Sequence, residues 1–186
     1  MIEIEQIRRW VEHFDPRRDP RARRSRDETL RLFEQEARPL SRSSFAPGHI
    51  TTSALVLSAE RHVLLVFHPR LQRWLQPGGH VEESDVSLLH AARREVHEET
   101  GLDLGDAPPT QLVSVDVHAI PACGGEPAHR HHDLMFCFDA AGSVATPTNA
   151  TLRTAWCAPD RLEEFAVDLP LRHAVGRALG RTDLMP

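Results

Sequence analysis

Gly78-Gly79-His80-Val81-Glu82-Glu83 opens, and Arg94-Glu95-Val96-His97-Glu98-Glu99-Thr100-Gly101-Leu102 closes, the stretch that decides this chain. The residues between about Val86 and Thr100 read as a helix. Leu89, Ala92, Val96 and Thr100 line its buried side, and Gly101 ends it. At about 100° per residue, Glu95 and Glu99 lie one turn apart on one face, and Glu98 is displaced from Glu95 by about 60°. Carboxylates at such spacings repel by about 0.2–0.5 kcal/mol per pair, and near a helix C-terminus the macrodipole disfavours them further. Local stability does not explain the group; a bound cation would. All-oxygen donors suit Mg2+, with Mn2+ as the alternative. The competing reading is a solvated acidic face balanced by Arg93 and Arg94, which is the better reading of a Glu-rich helix taken alone.

Upstream, the stretches 50–58 and 62–68 are β-rich and are joined by the polar Ala59-Glu60-Arg61, which predicts a hairpin. Pro77-Gly78-Gly79 predicts a break in any strand or helix. Downstream, strands are expected at 111–120, 131–139 and 153–158. Pro159-Asp160 opens a short helix, and a last helix over Leu171–Leu179 is closed by Gly180. Toward the N-terminus, Ile4, Ile7, Val11 and Phe14 mark one face of a helix that Asp15-Pro16 stops. The arginine-rich run 17–26 reads as a solvated loop, and Ser25-x-x-Glu28 as the capping box of a second helix ending before Pro39. Residues 1–45 are thus a helical N-terminal extension and 46–186 the main domain. Hairpins and isolated helices without regular strand-helix-strand alternation point to α+β, an α/β/α sandwich with a mixed sheet.

Composition bounds the function. The 186 residues carry a formal net charge of −5, so no bulk positive potential favours nucleic acid or an anionic membrane. All 22 basic residues are arginine, which excludes Schiff-base lysines and the P-loop lysine. Cys123, Cys137 and Cys157 lack C-x-x-C spacing and read as packing residues in a reducing compartment; with no signal or spanning segment, the expected location is the cytoplasm.

The decisive stretch closely resembles the Nudix (MutT-like) box, G-x5-E-x7-R-E-U-x-E-E-x-G-U, where U is aliphatic. Its second half matches throughout as Arg94-Glu95-Val96-x-Glu98-Glu99-x-Gly101-Leu102. The first half departs from the pattern: the fifth residue after Gly79 is followed by Asp85 instead of Glu, and one extra residue separates it from Arg94, so that counting back from Arg94 lands on Val86. The family's glutamate supports the arginine and the loop. Asp85 from a shifted position, Glu82 or Glu83 are the candidates to replace it. Trp74-Leu75-x-Pro77-Gly78-Gly79 and Trp156-x-x-Pro159 extend the resemblance, which covers roughly residues 50–180.

The resemblance implies a Nudix fold and a metal-dependent hydrolase that cleaves the diphosphate linkage of a nucleoside diphosphate joined to another group. Glu95, Glu98 and Glu99 would hold Mg2+ with help from a carbonyl at Gly78 or Gly79. Arg94 would brace the helix, and Glu98 is the choice of general base within the box. Candidate substrate contacts are His80, Trp74, His129, His131 and Asp133, although core packing is the commoner fate of a tryptophan. Strand alternation puts His129, His131 and Asp133 on one face. That cluster reads equally as a second cation site, as donors to phosphate, as the source of the base, or as hydrogen-bonded polar residues. Competing readings are a non-catalytic nucleotide sensor on the same fold, against which the intact carboxylate set argues, and an isoprenoid diphosphate isomerase, for which no motif is present. The partner expected is a small nucleoside diphosphate derivative. Capped RNA is the one nucleic acid in range, and a homodimer interface is one use for the N-terminal helices.

Overall fold

The computed structural model describes residues 2–106, 108–140 and 152–185. Helix α1 (Ile4–His13) ends at the expected Asp15-Pro16. Helix α2 (Pro20–Gln35) starts earlier than the capping-box reading: Asp19 is the N-cap, accepting from the Arg21 and Ala22 N–H groups, and Pro20 takes the first turn, where its missing N–H costs nothing. The arginine run is therefore helical from Pro20 onward, with Arg17 and Arg18 in the turn before it. Ser25 is buried inside the helix, and its hydroxyl accepts from the Val117 N–H.

Strands β1 (His49–Leu57) and β2 (Val63–His68) form the expected hairpin, followed by β3 (Arg73–Leu75). Gly78 and Gly79 of the expected break at Pro77-Gly78-Gly79 instead join His80 in a short strand β4 (Gly78–His80) pairing antiparallel with Thr51–Ser53 of β1. The close approach needs glycine, since a Cβ on Gly78 would lie 2.5 Å from the Ser53 Cβ and 2.7 Å from the Thr52 carbonyl oxygen. Helix α3 (Leu88–Thr100) is capped by the Ser87 side chain and closed by Gly101 at φ 71°. Strands β5 (Gln111–Ile120), β6 (His129–Asp139) and β7 (Arg153–Cys157), a 3-10 helix (Pro159–Phe165) and α4 (Leu169–Leu179) complete the order.

The sheet runs β3-β2-β1-β6-β5, with β4 beside β1 and β7 beside β2. β1 and β6 are parallel and the other pairings antiparallel, which makes the sheet mixed. Alternation then fills both faces. Ile50, Ala54, Val56, Leu134, Phe136 and Phe138 point to α3, α1 and α2, and Leu55, Leu57, Met135 and Cys137 pack toward α4. The result is the α/β/α sandwich expected from the sequence. Cys137 and Cys157 are core residues as expected, but Cys123 is exposed in a turn closed by pairing with Glu126, and so does not pack.

Ile7, Val11 and Leu32 of the N-terminal helices are each no more than 1% exposed and share the cluster of Ile50 and Phe136. Burial on that scale contributes roughly 1.5–3 kcal/mol per side chain. Polar ties add to it. Asp19 accepts from Arg177 Nη2 at 2.9 Å and contacts His173 Nδ1 at 2.8 Å, both on α4, and Arg21 pairs with Asp116 on β5. Burial alone would raise the Asp19 pKa, but the Ala22 N–H, His173 and Arg177 outweigh it and hold the carboxyl below its ordinary 3.8. A depressed carboxyl contributes stability that is present above the unfolded value and is lost as pH falls through the folded one. Thermal melts toward pH 3 should therefore show Asp19→Asn losing less stability on acidification than the parent; equal losses would remove Asp19 from the account.

Candidate functional site

The extra residue before Arg94 is accommodated at Asp85. Its side chain is fully buried, and it accepts from Arg94 Nε at 3.2 Å, from Arg94 Nη2 at 3.1 Å and from the Glu82 N–H at 2.8 Å. It also contacts His90 Nδ1 at 2.7 Å. Val86, at the counted position of the pattern, is 70% exposed. Asp85 thus does the bracing from its shifted place. Glu82 reaches Arg94 only at 3.9 Å, and Glu83 is exposed.

Arg94 spends its remaining donors on Glu95 Oε1 at 2.9 Å, Glu98 Oε2 at 3.1 Å and the His80 carbonyl at 2.8 Å. Burial works against its charge, but Asp85 and Glu95 more than offset that and hold the guanidinium above its ordinary pKa. With its donors committed in this way, Arg94 is a brace between α3, the loop that precedes it and β4.

Glu95 and Glu99 face β4. Glu99 Oε2 accepts from the Gly78 N–H at 3.1 Å. A Cβ on Gly79 would lie 2.5 Å from Glu95 Oε1, so the glycine makes room for that carboxylate. Burial, with Glu95 and Glu98 adding their charges and the Gly78 N–H opposing, pushes Glu99 up to about 7. Burial likewise raises Glu95, with Arg94 opposing it. Glu98 is the exposed member of the three. Two half-buried carboxylates lacking enough countercharge, beside a third, form a site that favours a cation and gains little from any other neighbour.

The other candidates separate into two groups. Trp74 packs edge-on against Phe67 and Phe165 at centroid distances of 5.4 and 5.2 Å, with the Arg153 guanidinium over its ring. This is the core-packing fate. Asp133 lies on the same face as His131, as alternation requires, but it is buried and accepts from Thr51 Oγ1 at 3.0 Å and Ser53 Oγ at 2.6 Å, so its oxygens serve strand β1. His80, His129 and His131 do come together, and His49 joins them. The sequence reading missed His49 because it meets His131 only through the β1–β6 register.

Gly79→Ala tests the geometry. The methyl group presses on the mobile end of a side chain, so the fold should survive while Glu95 is displaced. A misplacement of about 1 Å costs on the order of 10²-fold in rate. Unchanged turnover with an unchanged melting temperature would show that Glu95 has no fixed place.

Comparison with known proteins agrees with this layout. The family model of the NUDIX domain matches residues 47–177. Among solved structures, a NUDIX hydrolase from Nitrosomonas europaea aligns at TM-score 0.53 and 22% identity, covering 72% of this chain and 90% of that one. The NUDIX domain of Shewanella oneidensis NrtR, solved with ADP ribose, aligns at 0.52 and 18%, covering 76% and 92%. The E. coli ORF135 protein aligns at 0.51 and 18%, covering 74% and 92%. No curated protein matches the chain.

Proposed function

The chain belongs to the Nudix family of hydrolases, and from that premise we propose a metal-dependent pyrophosphohydrolase that cleaves the diphosphate linkage of a nucleoside diphosphate joined to another group. The observation that carries the reading is the group of Glu95, Glu98 and Glu99, two of them raised in pKa by burial, set against a β4 backbone that glycine keeps clear. That donor set fits a hard divalent cation. Glu95, Glu98 and Glu99 would hold Mg2+, or Mn2+ with the same oxygen chemistry, and the ion when bound neutralises diphosphate charge and orients water.

The chain's own residues do the rest. Asp85 and Arg94 fix α3 to β4, so that Glu95 and Glu99 keep their positions beside Gly78 and Gly79. Glu98, the exposed carboxylate, takes the proton as water oxygen bonds to phosphorus and the anhydride P–O bond breaks.

The test is turnover of a panel of nucleoside diphosphate compounds with Mg2+ or Mn2+, with phosphatase added to convert monophosphate products to inorganic phosphate. Metal-dependent turnover of one compound well above the others is the expected result. Tight binding without turnover of any member would replace the hydrolase with a nucleotide sensor.

A further inference from the structure

Four histidines converge where β1 and β6 begin, beside β4: His49 from β1, His80 from β4, and His129 and His131 from β6. His131 Nε2 lies 3.2 Å from His80 Nε2 and 3.2 Å from His129 Nε2. The His49 ring is 4.8–5.1 Å from the other three by centroid. One coordinating nitrogen each from His49, His129 and His131 fits within a span of 4.8 Å.

Hydrogen bonding does not explain the arrangement. The Nδ1 atoms of His49 and His129 lie 3.1 and 2.8 Å from the carbonyl oxygens of Ser44 and Pro127, so each must donate there. A neutral ring with its proton on Nδ1 has only a lone pair on Nε2. His49 Nε2 is buried without a hydrogen-bond partner among the described residues, and His129 Nε2 points at His131. His131 Nε2 has two neighbours at 3.2 Å, yet one ring nitrogen can donate one proton or accept one, not both. At least one of those contacts is therefore left as an unrelieved approach of two nitrogens.

A metal ion relieves all of these at once. Zinc–imidazole bonds of about 2.0–2.1 Å in a tetrahedron put the nitrogens about 3.3 Å apart, against the two observed separations of 3.2 Å. The Nδ1–H bonds of His49 and His129 to backbone carbonyls are the outer contacts that orient metal-ligating histidines. Burial and mutual proximity hold His49, His80 and His131 below their ordinary pKa, so the rings stay neutral donors. Lone pairs aimed inward repel a phosphate, and neutral nitrogen ligands suit zinc rather than magnesium. An open surface groove bordered by Phe45, Pro47, Ile120 and His129 runs beside the cluster.

We propose that His49, His129 and His131 form a zinc site distinct from the carboxylate site, with His80 placed beside His131 as the fourth donor. Bound zinc ties β4 to β1 and β6 one residue beyond Gly79, and so fixes the strand whose His80 carbonyl holds Arg94. The site does not depend on whether the chain hydrolyses a diphosphate.

The test is titration of chelator-stripped full-length protein with Co2+, followed by its visible d–d absorption, and then with Zn2+ as competitor. One equivalent of Co2+ should give the intense absorption of a tetrahedral site, be displaced by Zn2+, and survive millimolar Mg2+. His131→Asn should weaken Co2+ binding by on the order of 10²-fold or more, since loss of outer contacts alone costs roughly 10–100-fold. His80→Asn, on a short and partly exposed strand, gives the same readout should His131→Asn fail to fold. Replacing Glu95, Glu98 and Glu99 together with Gln should leave the spectrum in place. Absence of tetrahedral absorption, or absorption that survives the histidine changes and vanishes with the glutamates, would overturn the proposal.

Discussion

Glu99→Gln is expected to cut metal-dependent turnover by orders of magnitude while making the metal-free protein more resistant to heat at pH 8. Glutamine keeps the size of the side chain and an oxygen for the Gly78 N–H, so the β4–α3 contact persists. The charge is what disappears. Loss of one metal-binding carboxylate removes several kcal/mol of transition-state stabilisation, about 10²–10⁴-fold in rate. The stability effect has the opposite sign. Burial and the neighbouring Glu95 and Glu98 push the folded Glu99 up to about 7 against an ordinary 4.5. A carboxyl raised on folding binds its proton more tightly when folded, so stability falls as pH rises from the ordinary value through the folded one. In chelator, the parent should lose stability across that window and the Gln variant should lose less. Full activity in the Gln variant would sink the metal assignment, and a parent melting temperature flat from pH 4.5 to 7 would sink the electrostatic account.

The same charge balance explains what was legible in the sequence. The spacing of Glu95, Glu98 and Glu99 is a property of one helix, and a helix of this length has fixed angular geometry, so the face was readable before any tertiary contact was known. Strands β5 and β6, the one carrying alternating valines and the other a continuous apolar run, each bounded by turn residues, were similarly local. Legibility stopped where two segments distant in sequence had to meet. Ser25 has the local form of an N-cap, but its hydroxyl is used by Val117 of β5, and Asp19 caps α2 because Arg177 and His173 of α4 meet it from across the core. Pro77-Gly78-Gly79 reads as a break because proline and glycine are poor strand formers, yet the space left by Ser53 and Glu95 admits only glycine at 78 and 79. His49 could not be grouped with His131 without the parallel β1–β6 register. Asp133 has the composition of a metal ligand, and only the facing hydroxyls of Thr51 and Ser53 show that its lone pairs are already engaged.

The one-residue insertion in the box sets the second large effect. Asp85→Ala should lower stability by about 3–5 kcal/mol, the cost of breaking a buried ion pair from one side, toward the lower end because Arg94 keeps Glu95, Glu98 and the His80 carbonyl. For a chain of this size that is a melting temperature lower by roughly 6–20 °C. Activity should fall further than stability explains: without the two Asp85 oxygens the guanidinium is left to the carboxylates on its other side, and the more closely it holds Glu95 and Glu98, the less those oxygens are available to a cation. Val86→Glu supplies the glutamate that the family pattern places eight residues before Arg94, and it distinguishes position in the sequence from position in space. Val86 points to solvent, so Val86→Glu alone should change neither stability nor turnover, and the Asp85→Ala/Val86→Glu double variant should remain as impaired as Asp85→Ala. Recovery in the double variant would mean that the loop can slip by one residue to bring a glutamate to Arg94, and that the insertion is absorbed by the loop instead of by Asp85. Melting curves and turnover on the three proteins decide between these accounts, because only a loop fixed by the buried Asp85 contacts to Arg94, Glu82 and His90 leaves the second glutamate without effect.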